Sequence, residues 1–337
     1  MGGDFAPRAP LAGALQALRE SDTDLSIQLV GRTEVITAEL DALLKGDMSA
    51  DTSQRGRIEI VEAPEVIEMS DKPSAVVRGK PNNSMANGLK LQLDGRSDAF
   101  VSAGNTGAQM AASAMLLKLH PGLTRPAIAT AFPTRGQPVV VLDAGANVDC
   151  SARELLQFAW LGAVYAECVL GRANPAVGLL SIGEEAEKGN AVVKEANAAF
   201  ASAGFNFVGN VEGRDIPAGK CERGTIDVVV CDGFVGNVVL KFYEGVMPMV
   251  LEVLQQNGID KAQLRDVIRK FDASEYGGAP LLGVRGVSMI CHGNSSPRAI
   301  SNAVKAAARA ADSGMNALIG ERLTALAGAA SATSPAA

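Results

Sequence analysis

The feature that most constrains the fold is one pattern that recurs along the 337-residue chain. A short β-branched run ends in a glycine-containing loop, and a helical pattern follows. These run–loop–helix units start at Asp98, Pro138, Val177, Ile226 and Val287. Further strands are expected at 25–30, 57–61, 127–132 and 205–208. Strands that alternate with helices in this way predict an α/β fold, with a mainly parallel sheet and helices on both faces.

The unbroken apolar runs indicate where such a sheet is buried. Val139–Leu142 and Val228–Cys231 have no polar position, which is typical of parallel strands covered on both faces. In a parallel sheet the loops that leave the carboxyl ends of the strands share one edge, and ligands bind at that edge. The glycine loops are therefore expected to converge on one cleft.

Composition excludes several classes of protein. Hydrophobic residues make up 47% of the chain, which is enough for a sizeable core. The net charge is −6 and no long Lys/Arg block occurs, so a nucleic-acid partner is not expected. The five cysteines show no CxxC spacing, which indicates reduced thiols. With no apolar run of about 18 residues, no transmembrane helix is expected.

Familiar catalytic signatures do not occur. The sequence has no GxGxxG, Walker, HExxH or GxSxG pattern, so neither a cofactor nor a metal is expected. It has two histidines. His120 is expected in a surface loop, and a Ser-His-Asp mechanism would have to use His292, although no serine lies in a nucleophile elbow.

Two of the glycine loops carry amide donors. In "SAGNTGA", Gly104 precedes Asn105 and Thr106 at the start of a helical pattern, and "CDGFVGN" repeats the arrangement with Gly233 and Asn237. Because a helix N-terminus presents free N–H groups and a partial positive charge, such loops suit a phosphate. A simple strand-to-helix turn that needs left-handed backbone is the alternative for each loop taken singly.

A third loop is unusually charged. In "SIGEEAEKGN" the carboxylates precede Lys188, Gly189 and Asn190, where the next helix begins. A cation and an amide at that position could hold a phosphate or a thioester oxygen. The residues alone leave open a second interpretation, in which Lys188 pairs with a solvated glutamate of a capping region.

A set of sequence blocks resembles one family. The blocks are "MGGDFAP", "VSAGNTGA", "RPAIATAFPT", "VLDAGANVDC", "NPAVGLLSIGEEAEKGN", "NFVGNVEGRDI", "VVVCDGFVGNVVLK" and "YGGAPLLGVRG". They resemble the bacterial phosphate acyltransferases of the PlsX family and span residues 1 to about 310 in the family's order. The resemblance implies a cytoplasmic, peripherally membrane-associated homodimer with a fold like isocitrate and isopropylmalate dehydrogenases. It also implies transfer of a long-chain fatty acyl group from acyl carrier protein to inorganic phosphate, for phospholipid synthesis.

The resemblance and the loop positions together give the candidate site residues. The catalytic candidates are Lys188, Asn190 and Asn237. The substrate-binding candidates are Asp4, Ser102, Gly104, Asn105, Thr106, Asn147, Glu184, Glu185, Gly189, Arg214, Asp232, Gly233, Phe234 and His292. Because phosphate is itself the nucleophile in the implied reaction, the protein needs to orient a dianion and stabilise an oxyanion. It needs no activated serine or cysteine.

The chain departs from the family pattern in three places. Members have a short strand and an Asp-Ala ahead of "MGGD", whereas this sequence starts at Met1, so a further strand before Met1 is expected. Asn83 occupies a position where the family usually has serine. The helical segment between Gly245 and Tyr276 is shorter than in other members, and this segment is the family's membrane contact.

The strand–helix pattern and the family resemblance together predict the division into domains. Residues 1–236 and 277–328 are predicted to form the catalytic domain, 237–276 a helical protrusion and 329–337 a flexible tail. A helical pattern at 260–271 carries apolar residues on one face and basic residues beside it. The membrane or partner contacts expected there are Leu264, Arg265, Ile268, Arg269 and Phe271.

Other functions remain open at the level of the sequence. One alternative is a phosphotransacetylase that acts on an acyl-coenzyme A thioester. A nicotinamide-dependent dehydrogenase and a carrier-binding scaffold are more distant alternatives. The resemblance implies as partners acyl carrier protein, inorganic phosphate, a second copy of the chain, an anionic membrane surface and a downstream membrane glycerol-3-phosphate acyltransferase.

Overall fold

The computed structural model describes residues 1–21, 24–260, 264 and 273–332. The chain divides into two compact units. Unit 1 comprises Met1–Leu119 and Ser274–Ser313, and unit 2 comprises His120–Ala273 and Gly314–Ala337.

Unit 1 has two small sheets flanked by helices. Its strands are β1 (Ile27–Gly31), β2 (Ile58–Glu62), β3 (Ala99–Ser102), β11 (Ala279–Leu282) and β12 (Val287–Ile290). Its helices are α1 (Arg8–Glu20), α2 (Thr33–Lys45), α3 (Ala75–Arg78), α4 (Ser84–Leu93), α5 (Thr106–Leu116) and α10 (Pro297–Asp312), with a 3₁₀ helix at Ser49–Arg57. β1 pairs with β2 in parallel, and β12 pairs in parallel with β3 and antiparallel with β11.

A slot separates the two sheets of unit 1. Among the described residues, β1 pairs with β2 alone and β3 pairs with β12 alone, so each has one unpaired edge. A cavity of about 790 Å³ lies between these edges, and Ile27, Leu29 and Phe100 line it. α1 and α10 contribute Leu11 and Ile300 to its wall. The slot offers the two unpaired strand edges that a further parallel strand would need, with Leu11, Phe100 and Ile300 among the residues of its wall.

Unit 2 has one five-stranded sheet. Its strands are β4 (Ala127–Phe132), β5 (Val139–Leu142), β6 (Val177–Leu180), β7 (Phe207–Val211) and β10 (Val228–Val230), with a hairpin of β8 (Lys220–Cys221) and β9 (Gly224–Thr225) beside it. Its helices are α6 (Ala152–Cys168), α7 (Ala191–Ala201), α8 (Asp215–Ala218), α9 (Gly233–Gln256) and α11 (Met315–Ala332). The strand order is β4-β5-β10-β6-β7.

The prediction of a mainly parallel sheet is confirmed, although the main sheet of each unit also contains an antiparallel pair. β4 runs antiparallel to β5, and β11 antiparallel to β12, while the other pairs of both main sheets are parallel. The residues between the partners are few, at 133–138 and 283–286. Connections this short join antiparallel neighbours, whereas a parallel crossover needs a dozen or more residues.

Helices cover both faces of the sheet in unit 2. A Cβ placed on Gly162 of α6 would lie 2.6 Å from Val228, so α6 packs on the face to which Val228 points. Val229 belongs instead to a cluster with Val239 and Tyr243 of α9. Because successive strand residues point to opposite faces, α6 and α9 lie on opposite sides of β10.

Two features of unit 2 bear on the sequence predictions. α9 has 24 residues and is long and apolar enough to cross a membrane by length and composition alone, and 6% of its most apolar stretch is buried. Scattered charges such as Lys241 interrupt its apolar run, so the helix does not by itself overturn the expectation of no transmembrane helix. His120 is buried rather than in a surface loop, and its Nε2 lies 3.3 Å from Asn316 Oδ1.

Candidate functional site

The candidate site of unit 2 is a crevice at the carboxyl ends of β5 and β10. These strands are neighbours, yet the helices that follow them, α6 and α9, cover opposite faces of the sheet. Where adjacent strands send their helices to opposite faces, the loops diverge and leave a crevice that binds ligands. The loops around this crevice are those after β5, β10 and β6.

Asp143 organises the loop after β5. Its Oδ1 accepts hydrogen bonds from the main-chain N–H groups of Ile128, Gly145 and Ala146 at 3.0, 3.3 and 3.1 Å. Its Oδ2 accepts from the main chain and the side chain of Asn147 at 2.6 and 2.9 Å. Burial raises the pKa of Asp143, and these donors oppose that rise.

Asp143 is not among the residues predicted for the site, although it directly follows a fully apolar strand. An acidic residue directly after a buried strand could have indicated a structured polar loop, because a buried charge has to be hydrogen-bonded. Asn147 was selected, and its Nδ2 donates to Pro126 O at 2.8 Å as well as to Asp143. Both side chains therefore shape the loop from within.

The loop after β10 is joined to the loop after β5. The N–H of Gly233 donates to the carbonyl oxygen of Asn147 at 2.7 Å. Asp232 caps α9, since its Oδ1 accepts from the N–H of Val235 at 2.8 Å. Phe234, directly after Gly233, is 61% exposed. The predicted residues Asn147, Asp232, Gly233 and Phe234 thus lie together.

Asn237 lies at the same crevice. A Cβ placed on Gly145 would lie 3.4 Å from Asn237 Oδ1, so the Asn237 side chain rests against the loop after β5. Gly145 has a φ of +134°, which favours glycine at this position. The side chain of Asn237 is exposed, and its amide group is available to a ligand.

The loop after β6 contributes the lysine of the predicted site. Lys188 is exposed, and its ammonium forms no ion pair with any residue in the part of the chain that the structure describes. Gly189 follows with a φ of +102°. Asn190 then caps α7, because its Oδ1 accepts from Val193 N–H at 2.9 Å. The interpretation in which Lys188 pairs with a neighbouring glutamate is not what the structure shows.

The glutamates of this loop have other roles. The carbonyl oxygen of Glu185 accepts from Asn210 Nδ2 at 2.8 Å and from the N–H of Lys188 at 3.0 Å, which fixes the loop to β7. Partial burial raises the pKa of Glu184, and the nearby Glu222 carboxylate raises it further. Arg214 forms an ion pair with Glu212 at 2.7 Å.

The remaining predicted residues form a second group in unit 1. The Asp4 N–H donates to Gly293 O at 2.9 Å, which holds the N-terminal segment beside the loop of the exposed His292. A Cβ placed on Gly3 would lie 2.6 Å from Ala103 O. The chain start and the loops after β3 and β12 are therefore in contact.

The loop after β3 is held by its own polar side chains. Ser102 Oγ accepts from the N–H of Gly104 at 3.1 Å. Asn105 caps α5, and its Nδ2 donates to the carbonyl oxygens of Glu68, Met69 and Asp71 at 3.3, 3.0 and 3.0 Å. The side-chain donors of Asn105 are therefore engaged, whereas Thr106 is exposed. Asn83, the departure from the family pattern, is a buried cap of α4.

The predicted membrane contacts lie largely outside the described residues. Arg265, Ile268, Arg269 and Phe271 are among the residues that the structure does not describe, and Leu264 is described and buried. The helical protrusion at 237–276 stays a prediction. α9, which forms its first part, starts inside the crevice at Gly233 and ends at Gln256.

Comparison with known proteins decides the family. The model of the family described as "Fatty acid synthesis protein" matches residues 1–318. A phosphate acyltransferase of Desulforamulus reducens is 45% identical over 336 residues, which cover 96% of this chain and 95% of the relative. The chain belongs to the phosphate acyltransferase family. A second relative, from Heliobacterium modesticaldum, is also 45% identical and carries the same name. The resemblance inferred from the sequence blocks is confirmed.

Solved structures show that this family shares a wider fold. A branched-chain phosphotransacylase from Enterococcus faecalis matches with a TM-score of 0.59 at 16% identity, covering 92% of this chain and 96% of that one. A phosphotransacetylase from Staphylococcus aureus matches with a TM-score of 0.55 at 14% identity, with coverages of 89% and 99%. At such identities the likeness concerns the fold alone. It confirms the α/β class of the phosphate acyltransferase chain.

Proposed function

We propose that this chain transfers a fatty acyl group from the thioester of acyl carrier protein to inorganic phosphate. Membership of the phosphate acyltransferase family supports the reaction. The observation that carries it is the crevice of unit 2. Lys188 and Asn190 present donors on the loop after β6, and Asn237 presents a donor from the start of α9, which follows the neighbouring strand β10. None of these three side chains is a carboxylate or an imidazole that would act as a general base. Such a set of hydrogen-bond donors suits a reaction in which the substrate anion is itself the nucleophile.

The reaction needs only positioning and charge stabilisation from the protein. A phosphate oxygen attacks the thioester carbonyl carbon, and the carbonyl oxygen becomes an oxyanion. When this tetrahedral species collapses, the C–S bond breaks and the new C–O bond of the acyl-phosphate remains. The thiolate takes the proton that hydrogen phosphate loses. Fixed donors aimed at the developing oxyanion lower such a barrier, because they need no reorganisation.

The three catalytic candidates have distinct roles in this scheme. The Lys188 ammonium offsets the charge of phosphate and of the oxyanion. Asn190 and Asn237 supply neutral N–H donors, which fix orientation without adding charge. Their main chains are held by the α7 cap and by contact with the loop after β5. The buried carboxylate of Asp143 accepts hydrogen bonds from five N–H groups and so fixes the conformation of the loop after β5.

The test is an assay with the two possible acyl donors. The purified chain is incubated with radiolabelled phosphate and either hexadecanoyl carrier protein or hexadecanoyl coenzyme A, and labelled acyl-phosphate is measured. We expect product that depends on phosphate and is formed faster from the carrier protein. Faster reaction with coenzyme A would support a phosphotransacetylase instead. Binding of carrier protein without phosphate-dependent cleavage would support a scaffold.

We also propose a homodimer that associates peripherally with the inner face of the cell membrane. α9 supports this because Met249 and Val253 on its distal half are 57% and 50% exposed. Large apolar side chains exposed along one helix mark an interaction surface. An acyl-phosphate carries an apolar chain, so its release at a membrane would deliver it to a membrane acyltransferase that uses it for glycerol phosphate.

Vesicle binding and sedimentation test these two proposals separately. Co-sedimentation with anionic and neutral vesicles compares the wild type with an Arg265→Glu/Arg269→Glu variant and with Met249→Asp. We expect weaker binding by each variant, and binding that falls as salt screens the lipid charge. Binding that ignores lipid charge and both substitutions would remove the membrane proposal. Analytical ultracentrifugation of the wild type in solution tests the dimer independently.

A further inference from the structure

An apolar rim surrounds the polar crevice of unit 2. Val148, Ile182 and Phe234 are 62%, 82% and 61% exposed, although side chains of this size are normally buried. Each follows a different strand of the sheet, namely β5, β6 and β10. These three strands are neighbours with aligned ends, since Val230 pairs with both Leu142 and Leu179. The rim is therefore a feature of one sheet edge.

The rim is tied closely to the polar groups. Gly233 N–H donates to Asn147 O, and Phe234 and Val148 each follow one residue after this pair. Ile182 belongs to the same loop as Lys188. Val148 and Phe234 therefore lie next to the hydrogen bond that joins two loops of the crevice, and Ile182 lies on the loop that carries the exposed Lys188.

The apolar surface continues along α9. Val238 and Phe242 are 52% and 71% exposed and follow Phe234 at spacings of four and eight residues, which keeps all three on one helical face. At 1.5 Å per residue the surface from Phe234 to Phe242 is about 12 Å long. The rim and this stretch together form an apolar track that starts at the crevice.

We propose that the apolar track binds the acyl chain of the thioester substrate. This inference rests on the proposed function and extends it, because it names the residues that recognise the chain. A substrate with a polar reacting end and a long apolar tail matches a polar crevice that is continuous with an apolar surface. A protein partner covering the same face would also remove the unpaired Lys188 from water, which is costly without a compensating anion.

The consequence is a chain-length preference that depends on the track. A short acyl group reaches the rim alone, whereas a long chain also covers Val238 and Phe242. Truncating Val238 and Phe242 should therefore weaken the reaction of long-chain donors more than that of short-chain donors. Phosphate binding should change little, since neither side chain offers a donor.

The experiment measures kcat/KM for hexadecanoyl and butanoyl carrier protein with the wild type, Val238→Ala, Phe242→Ala and the double variant. We expect the long-to-short ratio of kcat/KM to fall about tenfold or more in the double variant, as for loss of apolar substrate contacts elsewhere. Leu93→Ala, a similarly exposed apolar position on α4 of unit 1, is the matched control and should keep the wild-type ratio. Circular dichroism checks that the variants are folded.

The experiment distinguishes failure of the acyl-chain inference from failure of the proposed function. An unchanged ratio in the double variant overturns the inference and leaves the proposed function intact. Dissociation of a dimer by the double variant at an unchanged ratio would show that a second copy covers the track, and it overturns the inference as well. Absence of phosphate-dependent cleavage for both chain lengths in the wild type would instead refute the proposed function.

Discussion

The N–H of Gly233 donates to the carbonyl oxygen of Asn147 at 2.7 Å, and this hydrogen bond joins the loops after β10 and β5. The contact is close because Gly233 has no side chain. A Cβ at this position would lie 2.7 Å from Asn147 O and 2.7 Å from Asp143 Oδ2. The first residue of α9 and the buried carboxylate that shapes the crevice are therefore packed directly against each other.

Gly233→Ala should disrupt this arrangement. Because the atoms in the way belong to the main chain of Asn147 and to a buried carboxylate, they cannot move aside cheaply. We expect a loss of about 1–3 kcal/mol in the free energy of unfolding and a large fall in turnover. Gly213→Ala is the control, since a Cβ there meets nothing within 4 Å. Denaturant unfolding and the phosphate-dependent assay measure both effects, and equal behaviour of the two variants would contradict the packing argument.

Lys188→Ala should lower turnover by about tenfold or more, since one electrostatic contact to the oxyanion is lost. The fold should stay intact, because Lys188 is exposed and forms no ion pair with any described residue. Lys194→Ala, which removes an exposed lysine from α7, should behave like the wild type. Wild-type kinetics for the Lys188 variant, at unchanged circular dichroism, would exclude its catalytic role.

Glu184→Gln should stabilise the protein in neutral or basic solution. Partial burial and the Glu222 carboxylate raise the pKa of Glu184 in the folded state. Its ionised form is thus less favourable in the folded than in the unfolded chain, and this cost disappears as pH falls and the carboxyl is protonated. The variant should have the higher Tm near pH 8 and lose that advantage near pH 3, below the ordinary carboxyl range of about 4. A difference in Tm that does not change with pH would refute this explanation.

Cys150→Ala should retain turnover. Cys150 lies beside the crevice, and its Sγ is 3.6 Å from Asn147 O. Burial and the Asp143 carboxylate raise the pKa of the Cys150 thiol to about 12, so the thiolate is scarce at neutral pH. An acyl-cysteine intermediate would need that thiolate, whereas direct attack by phosphate does not. Loss of activity in this variant, together with a trapped acyl-enzyme in the wild type, would contradict direct attack.

An added N-terminal strand should stabilise unit 1. Met1 lies between the carboxyl ends of β1 and β3, since Cβ atoms placed on Gly31 and Gly104 would lie 2.8 and 3.7 Å from Met1 atoms. A strand that enters Met1 along the slot would run parallel to both unpaired edges. Each buried ladder group that gains a partner avoids a cost of about 1–3 kcal/mol, which should raise the Tm by several degrees.

The comparison for this prediction is between two extensions of equal length. One is an apolar strand that ends in Asp-Ala, and the other is a Gly/Ser segment that cannot fill the slot. We expect the Tm to rise with the first extension alone. If the 337-residue form is as stable and as active as the strand-extended form, the expectation of a further strand before Met1 is wrong.

Local structure was determined by the sequence alone. Strands at β1, β2, β4 and β7 were predicted to within a few residues, as was the end of α9 before the "NGID" segment. Asn105, Asn190 and Asp232 each cap the helix that follows them. Such features depend on hydrogen bonds between residues three or four positions apart, so a short stretch of sequence contains all the information they need.

The assembly of the crevice was decided by tertiary structure. β10 lies between β5 and β6 in the sheet, although it begins at Val228 and β5 ends far earlier in the chain, at Leu142. This insertion brings Gly233 to Asn147, and the same sheet brings the Ile128 N–H to Asp143. Strand order depends on which long-range pairings bury the most apolar surface together, a property of the whole chain. The apolar strand before Asp143 could indicate a buried carboxylate. The groups that donate to it, such as the N–H of Ile128 on β4, are brought to it only by the pairing of the strands.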